Sequence, residues 1–159
     1  MRNRRALVPS VARTGEAKIA VQQLGHRYSN DVEALANVNI DVHAGEFVCL
    51  LGPSGCGKTT LLYALAGHIT ASGGRIAIDG KPVTGPGPDR LLVFQEPALF
   101  PWLTVRQNLV FALGSKKIPR RVAERRALEY IRLVHLEGFE DALPHQLSGG
   151  MRHRVSLAR

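Results

Sequence analysis

Cysteine is almost absent from this 159-residue chain, which holds Cys49 and Cys56 and no CxxC pair. That excludes a disulfide framework and makes a reducing, cytoplasmic setting the default. Long apolar runs are missing too: none approaches the ~18 residues that a membrane span requires. The opening stretch MRNRRALVPSVARTGE has a basic start and a short apolar patch, but Pro9 interrupts the patch. A signal peptide is therefore not expected, and residues 1–16 read as a disordered basic tail. Acidic residues are scarce, 13 against 21 basic ones, for a formal charge of +8. The excess is local: residues 1–15 carry +4 and residues 116–132 carry +5, so the remainder is close to neutral. Aromatic side chains are not interleaved with these cations, so a nucleic-acid platform is not expected. A solvated helix face, near anionic headgroups at most, accounts for the second cluster.

What is present alternates between two periods. In ANVNIDV, Val38, Ile40 and Val42 fall on one face and Asn37, Asn39 and Asp41 on the other, the pattern of a half-buried strand. IAVQQL before it reads as a partner strand. EFVCLL and LLVFQ hold short apolar runs, Phe47–Leu51 and Leu91–Phe94, expected as buried strands. RIAIDGKPV reads as a hairpin turning at Asp79-Gly80. The helical segments are KTTLLYALAGH, with Leu61, Leu62, Leu65 and Ala66 in register, and VRQNLVFAL, opened by a Thr104/Gln107 capping box. A further helix runs from Pro119 to about His135, and a last one starts near Ser148. The expected class is α/β.

GPSGCGKT, from Gly52 to Thr59, fits G-x-x-x-x-G-K-[ST] and lies between an apolar run and a helix, the context that this motif requires. Gly52, Gly55 and Gly57 let the chain curl so that the N–H groups of Ser54, Cys56 and the following turn, beyond Pro53, face phosphate oxygens. Lys58 is expected to reach the β- and γ-phosphates, and the Thr59 hydroxyl to ligate Mg²⁺, with Thr60 also among the nucleotide-binding residues. A nucleoside-triphosphate site is thus implied, but GTPases, kinases and motors all share it.

Three weaker features lie elsewhere. Gln95 ends an apolar run, where a carboxamide can serve a site or simply end a strand. LSGG puts Ser148, Gly149 and Gly150 at a helix start, either a second anion-binding end or an ordinary serine cap. Tyr28 precedes a loop, as a base platform or as packing.

Taken in order from about Ile19 onward, these motifs resemble the ATP-binding subunit of ABC transporters. The resemblance makes Gly52–Thr59 the Walker A motif, Gln95 the Q-loop glutamine, Leu147–Gly150 the signature, and Tyr28 the aromatic stacked on adenine. GPGPDRLLVFQEPALFPWLTVRQNLVFAL is similar to importers of nitrate, aliphatic sulfonates and taurine. The resemblance implies a P-loop NTPase core with an N-terminal antiparallel β region and the start of a helical subdomain. Residues 17–159 would form part of a nucleotide-binding domain: 17–95 the β region and Walker A core, 96–159 the Q-loop and signature region. It also implies ATP and Mg²⁺ as cofactors, with Gln95 touching Mg²⁺ or the attacking water. The implied partners are a second ATP-binding subunit in a head-to-tail dimer, transmembrane permease subunits, and indirectly a solute-binding protein. Ser148, Gly149 and Gly150 would then serve the partner's nucleotide, from a peripheral position on the cytoplasmic face of the inner membrane. ALFPW, with Phe100 and Trp102, suits either permease docking or the domain's own core.

One departure is His153, where the family usually has Gln; it is expected to weaken helix-end hydrogen bonding slightly. A larger departure concerns hydrolysis, which needs an acidic residue at the end of an apolar strand and a carboxylate to orient water. The apolar runs FVCLL and LLVF end in Gly52 and Gln95, and no run of four or more apolar residues ends in Asp. The expectation is therefore an N-terminal portion, truncated before the Walker B strand and without turnover on its own; its alternative is a nucleotide-binding module that never turns over. A nucleic-acid-linked ATPase would carry large insertions or tandem cassettes, and neither is visible.

Overall fold

The computed structural model describes residues 16–114 and 118–159, so the basic tail expected over 1–16 lies, but for Glu16, outside the described residues. The chain divides into two compact units, Met1–Leu92 and Val93–Arg159. Among the described residues no helix is long and apolar enough to cross a membrane.

In the first unit the alternating segments become an antiparallel sheet. Strand β1 (Ile19–Arg27) lies between β2 (Glu33–Val42) and β3 (Gly73–Ile78), and β4 (Lys81–Pro82) pairs with β3. Ile19 sits opposite Val42 on one side and Ile78 on the other, and Val21 opposite Ile40 and Ile76. Apolar cross-strand rows of this kind hold one face of a sheet together. Register slips between Val21 and Leu24, where Gln23 adopts a positive φ of 50°, a bulge that turns Leu24 fully inward. The β3–β4 turn has positive φ at both Asp79 (48°) and Gly80 (73°), as a two-residue primed turn requires.

Helix α1 (Lys58–Leu65) closes the face of this sheet. Leu61 and Ala64 join Val21, Leu24, Leu35 and Ile76 in the core. Leu62, expected on the same apolar face, is instead 44% exposed, because an eight-residue helix against a narrow sheet covers only the Leu61–Ala64 stripe. The larger correction concerns EFVCLL and LLVFQ. Residues 46–53 and 91–94 form no ladder, and Phe47, Leu51 and Leu91 are each 90% or more exposed. A buried strand is defined by its neighbours, since its N–H and C=O groups need partners on both sides. No described strand pairs with either segment.

The second unit is helical: α2 (Val105–Gly114), α3 (Arg120–Leu133), a 3-10 turn at Pro144–Gln146, and α4 (Gly149–Ala158). The capping box forms in both directions, with Thr104 N–H donating to Gln107 Oε1 at 2.9 Å and Gln107 N–H to Thr104 Oγ1 at 3.2 Å. Pro119 stands at the N-cap of α3, and Ala123, Ala127 and Ile131 recur at helical spacing on its buried face. Ala127 and Ile131 pack with Val105, Leu109, Leu136, Leu147 and Val155 into one core. The opposite face carries exposed Arg121, Arg125 and Arg126, and the i,i+4 pairs Arg120–Glu124 and Arg125–Glu129. Exposed pairs like these contribute only a few tenths of a kcal/mol each, about 0.3–0.5. Arg154 reaches the Val134 and His135 carbonyls at 2.7 and 2.8 Å, fixing the chain where α3 ends.

Candidate nucleotide site and signature end

Residues 52–57 enter α1 through a tight loop built on glycine. Gly55 (φ 79°) and Gly57 (φ 92°) are both left-handed, and a Cβ at Gly57 would overlap the Ala34 carbonyl oxygen of β2. Only glycine allows that approach, so the loop lies directly against the sheet. Gly57 is also the N-cap of α1, and no side chain caps this end. The first turn has no acidic residue either. The helix N-terminus therefore keeps its N–H donors and its positive dipole end uncompensated.

Lys58 lies in that first turn and curls back across the loop. Its Nζ donates to the Gly52 carbonyl at 2.9 Å and the Pro53 carbonyl at 2.7 Å, and lies 3.4 Å from Cys56 Sγ. These partners are neutral, and among the described residues no carboxylate pairs with the ammonium. Thr59 is exposed beside it, whereas Thr60 is buried at 7% exposure. Thr60 Oγ1 lies 3.0 Å from the Tyr28 hydroxyl, which brings Tyr28 to the loop's flank. Tyr28 is 40% exposed and stands edge-on to His26, with ring centroids 4.7 Å apart. Tyr28, Lys58, Thr59 and Thr60 are thus brought together as a cation, hydroxyls and an aromatic around free backbone donors.

This donor set fits a magnesium-bound triphosphate. Among the described residues no group of three or more His, Cys, Asp or Glu could hold a metal. Mg²⁺ is commonly bound through phosphate oxygens with few protein ligands, and the exposed Thr59 hydroxyl is a suitable one.

The second unit assembles the other features. Ser148 is the N-cap of α4, and its Oγ accepts from Met151 N–H at 3.3 Å. Gly149 and Gly150 follow in the exposed first turn, which again lacks acidic residues. A Cβ at Gly150 would meet nothing within 4 Å. Gln95 is exposed, and the structure joins its main chain to this helix through His153. His153 Nε2 lies 2.8 Å from the Gln95 carbonyl oxygen and Nδ1 lies 3.0 Å from the Gly149 carbonyl oxygen. Both oxygens only accept, so they favour the ring with a proton on each nitrogen. The Gln95 carbonyl foremost, then Gly149, raises the His153 pKa above its ordinary 6.5, against smaller opposing effects of desolvation and of Arg152. The His153 side chain thus makes two contacts at this helix end.

Asn108 is a residue that sequence reasoning passed over. It is fully buried in α2, accepts from Phe100 N–H at 2.9 Å, and donates to the Leu103 and Thr104 carbonyls at 2.9 and 3.0 Å. It thereby shapes the loop that carries Phe100 and Trp102. Its signal is a carboxamide in an apolar helix between Val105 and Leu109, four residues after the capping threonine. Phe100 packs against Trp102 and Phe111, with centroids 5.6 and 4.6 Å apart, while Trp102 stays 71% exposed.

The comparisons agree with this geometry. A family model described as ABC transporter matches residues 35–159. An uncharacterised ABC transporter ATP-binding protein of Methanocaldococcus jannaschii is 52% identical over 130 residues, 82% of this chain and 49% of that protein. A taurine import ATP-binding protein of Burkholderia pseudomallei is 47% identical over 146 residues, 90% of this chain and 56% of its own length. The chain spans about half the length of the curated relatives it matches. Among solved structures, a dimeric ATP-binding cassette in a post-hydrolysis state with ADP and Pi aligns with TM-score 0.76 at 31% identity, covering 88% of this chain and 67% of the other. CbiO1 from Clostridium perfringens, part of an ABC transporter complex, aligns with TM-score 0.74 at 29% identity, covering 91% and 61%. With the Gly52–Thr59 loop and the Ser148-capped helix start both inside the matched region, this chain belongs to the ABC transporter family and has the fold of its ATP-binding cassettes.

Proposed function

We propose that the chain is the nucleotide-binding portion of an ATPase that energises import of a small anionic solute of the nitrate, sulfonate or taurine kind. The observation that carries the nucleotide reading is Lys58, unpaired by any carboxylate and folded over the glycine loop at the uncapped end of α1. In this reading, Gly52, Pro53, Ser54, Gly55, Cys56, Gly57, Lys58, Thr59 and Thr60 surround the phosphates and Tyr28 stacks on adenine. Thr59 and Gln95 face Mg²⁺, and Ser148, Gly149 and Gly150 serve the nucleotide of a second copy in a head-to-tail dimer. The loop shaped by Asn108 offers Phe100 and Trp102 to permease subunits, from the cytoplasmic face of the membrane. The names of the taurine import relatives support the solute class, and CbiO1, as part of an ABC transporter complex, supports partnership with other transporter subunits.

A second reading rests on the missing carboxylates. No apolar run of four or more in these 159 residues ends in Asp, so on this reading the polypeptide by itself binds nucleotide without turnover. Sedimentation with MgATP, combined with phosphate release, separates the two. A nucleotide-dependent dimer with release that Lys58→Ala abolishes supports the hydrolysing subunit. A dimer or saturable binding without release supports the second reading. No response to nucleotide of either kind contradicts both.

A further inference from the structure

The loop from Gln95 to Thr104 has no regular structure of its own, yet side chains from the helices hold it at several points. Asn108 of α2 holds the Phe100 main chain. Arg159 donates to the Ala98 carbonyl and stacks over the Phe100 ring, 4.6 Å from its centroid. At the Gln95 end the holder is His153.

We propose that His153 is a positioning residue that clamps the main chain of Gln95 to the first turn of α4, so that Gln95 and Ser148–Gly150 move as one piece. The role rests on the reading of Gln95 and the signature given above. Three features of the contact support it. The partners are the Gln95 and Gly149 carbonyls, which belong to the two features meant to face nucleotide. The imidazole is a flat ring with two nitrogens, so it spans two acceptors with little rotameric freedom to lose. The ring bridges both carbonyls when each nitrogen carries a proton, and a neutral ring with its proton on Nε2 keeps the Gln95 contact alone. A glutamine at this position would bring a single donor nitrogen on a longer, more flexible stem. The consequence is mechanical: displacement of Gln95 by its own nucleotide is passed through the ring to the α4 end presented to the partner's nucleotide.

The test is hydrogen exchange of the 159-residue chain, without nucleotide and then with MgATP. In His153→Ala the hydrogen-bonded amides of Leu99 and Phe100 should exchange about fivefold faster, the loss expected for one net hydrogen bond, while α2 and α3 stay unchanged. Exchange at these amides equal to wild type, or acceleration spread evenly through the helical unit, would overturn the proposal. Should His153→Ala fail to fold, His153→Gln decides by the same criterion with a smaller increase. With MgATP, protection at residues 148–152 should accompany that at 95–99 in the wild type and be lost at 148–152 in the variant. Protection at 148–152 that persists in a nucleotide-binding variant would also overturn it. An absence of nucleotide binding by either protein counts against the proposed function, whereas the nucleotide-free exchange still decides whether the clamp exists.

Discussion

Two helix beginnings in this molecule are built in opposite ways. The α1 end is reached through left-handed glycines, has no side-chain cap, and lies so close to β2 that Gly57 has no room for a Cβ. The α4 end is capped by its own serine, and Gly150 stands in open space. Both lack acidic residues in the first turn, so both leave a positive dipole end facing outward. The difference shows what each glycine is for. At α1, glycine is demanded by the fold, which packs the 52–57 loop onto the sheet. At α4, the fold makes no such demand on Gly150, so its smallness matters only to something that approaches from outside.

Substitution at the tight end should have the largest effect. Gly57→Val places a β-branched side chain at φ 92° against the Ala34 carbonyl, and should cost several kcal/mol, roughly 2–4, or prevent folding of the first unit, as thermal unfolding would register. Gly150→Ala probes the open end, where stability should hold or rise slightly, by up to about 1 kcal/mol. If nucleotide-dependent dimerisation is nevertheless lost in Gly150→Ala, the glycine serves a partner's ligand.

Lys58→Ala comes next. It removes a charge held only by neutral groups, so stability should change little while affinity for MgATP falls at least about tenfold. A large fall in the unfolding midpoint would mean that the lysine holds the loop together. Ser148→Ala should cost about 1 kcal/mol in the second unit through loss of the cap. The smallest effect concerns His153. Its folded pKa is raised, so its contribution is complete below about 6.5 and fades as pH rises through the folded value. His153→Gln should flatten that dependence in an unfolding-versus-pH series.

Legibility in the sequence follows the range of the interaction. The phosphate loop, the Thr104/Gln107 box, the Asp79-Gly80 turn and the Ser148 cap are satisfied within a few residues of themselves, and all four form where their local pattern points. The runs at 47–51 and 91–95 mislead because apolarity announces burial without supplying a partner, and strands require one. The His153–Gln95 contact joins residues 58 apart, and no periodicity marks it. Asn108 stands between these cases: its oddness among apolar neighbours is visible, but the carbonyls it serves come from the loop's tertiary path.

Whether the Gly52–Thr60 loop binds nucleotide in this chain is decided by calorimetric titration of MgATP into the wild type and into Lys58→Ala. Saturable binding at one site per chain is expected in the wild type, weakened at least about tenfold in the variant. Equal affinity in both proteins, or no binding to a wild-type chain shown to be folded, would mean that the loop is not a nucleotide site.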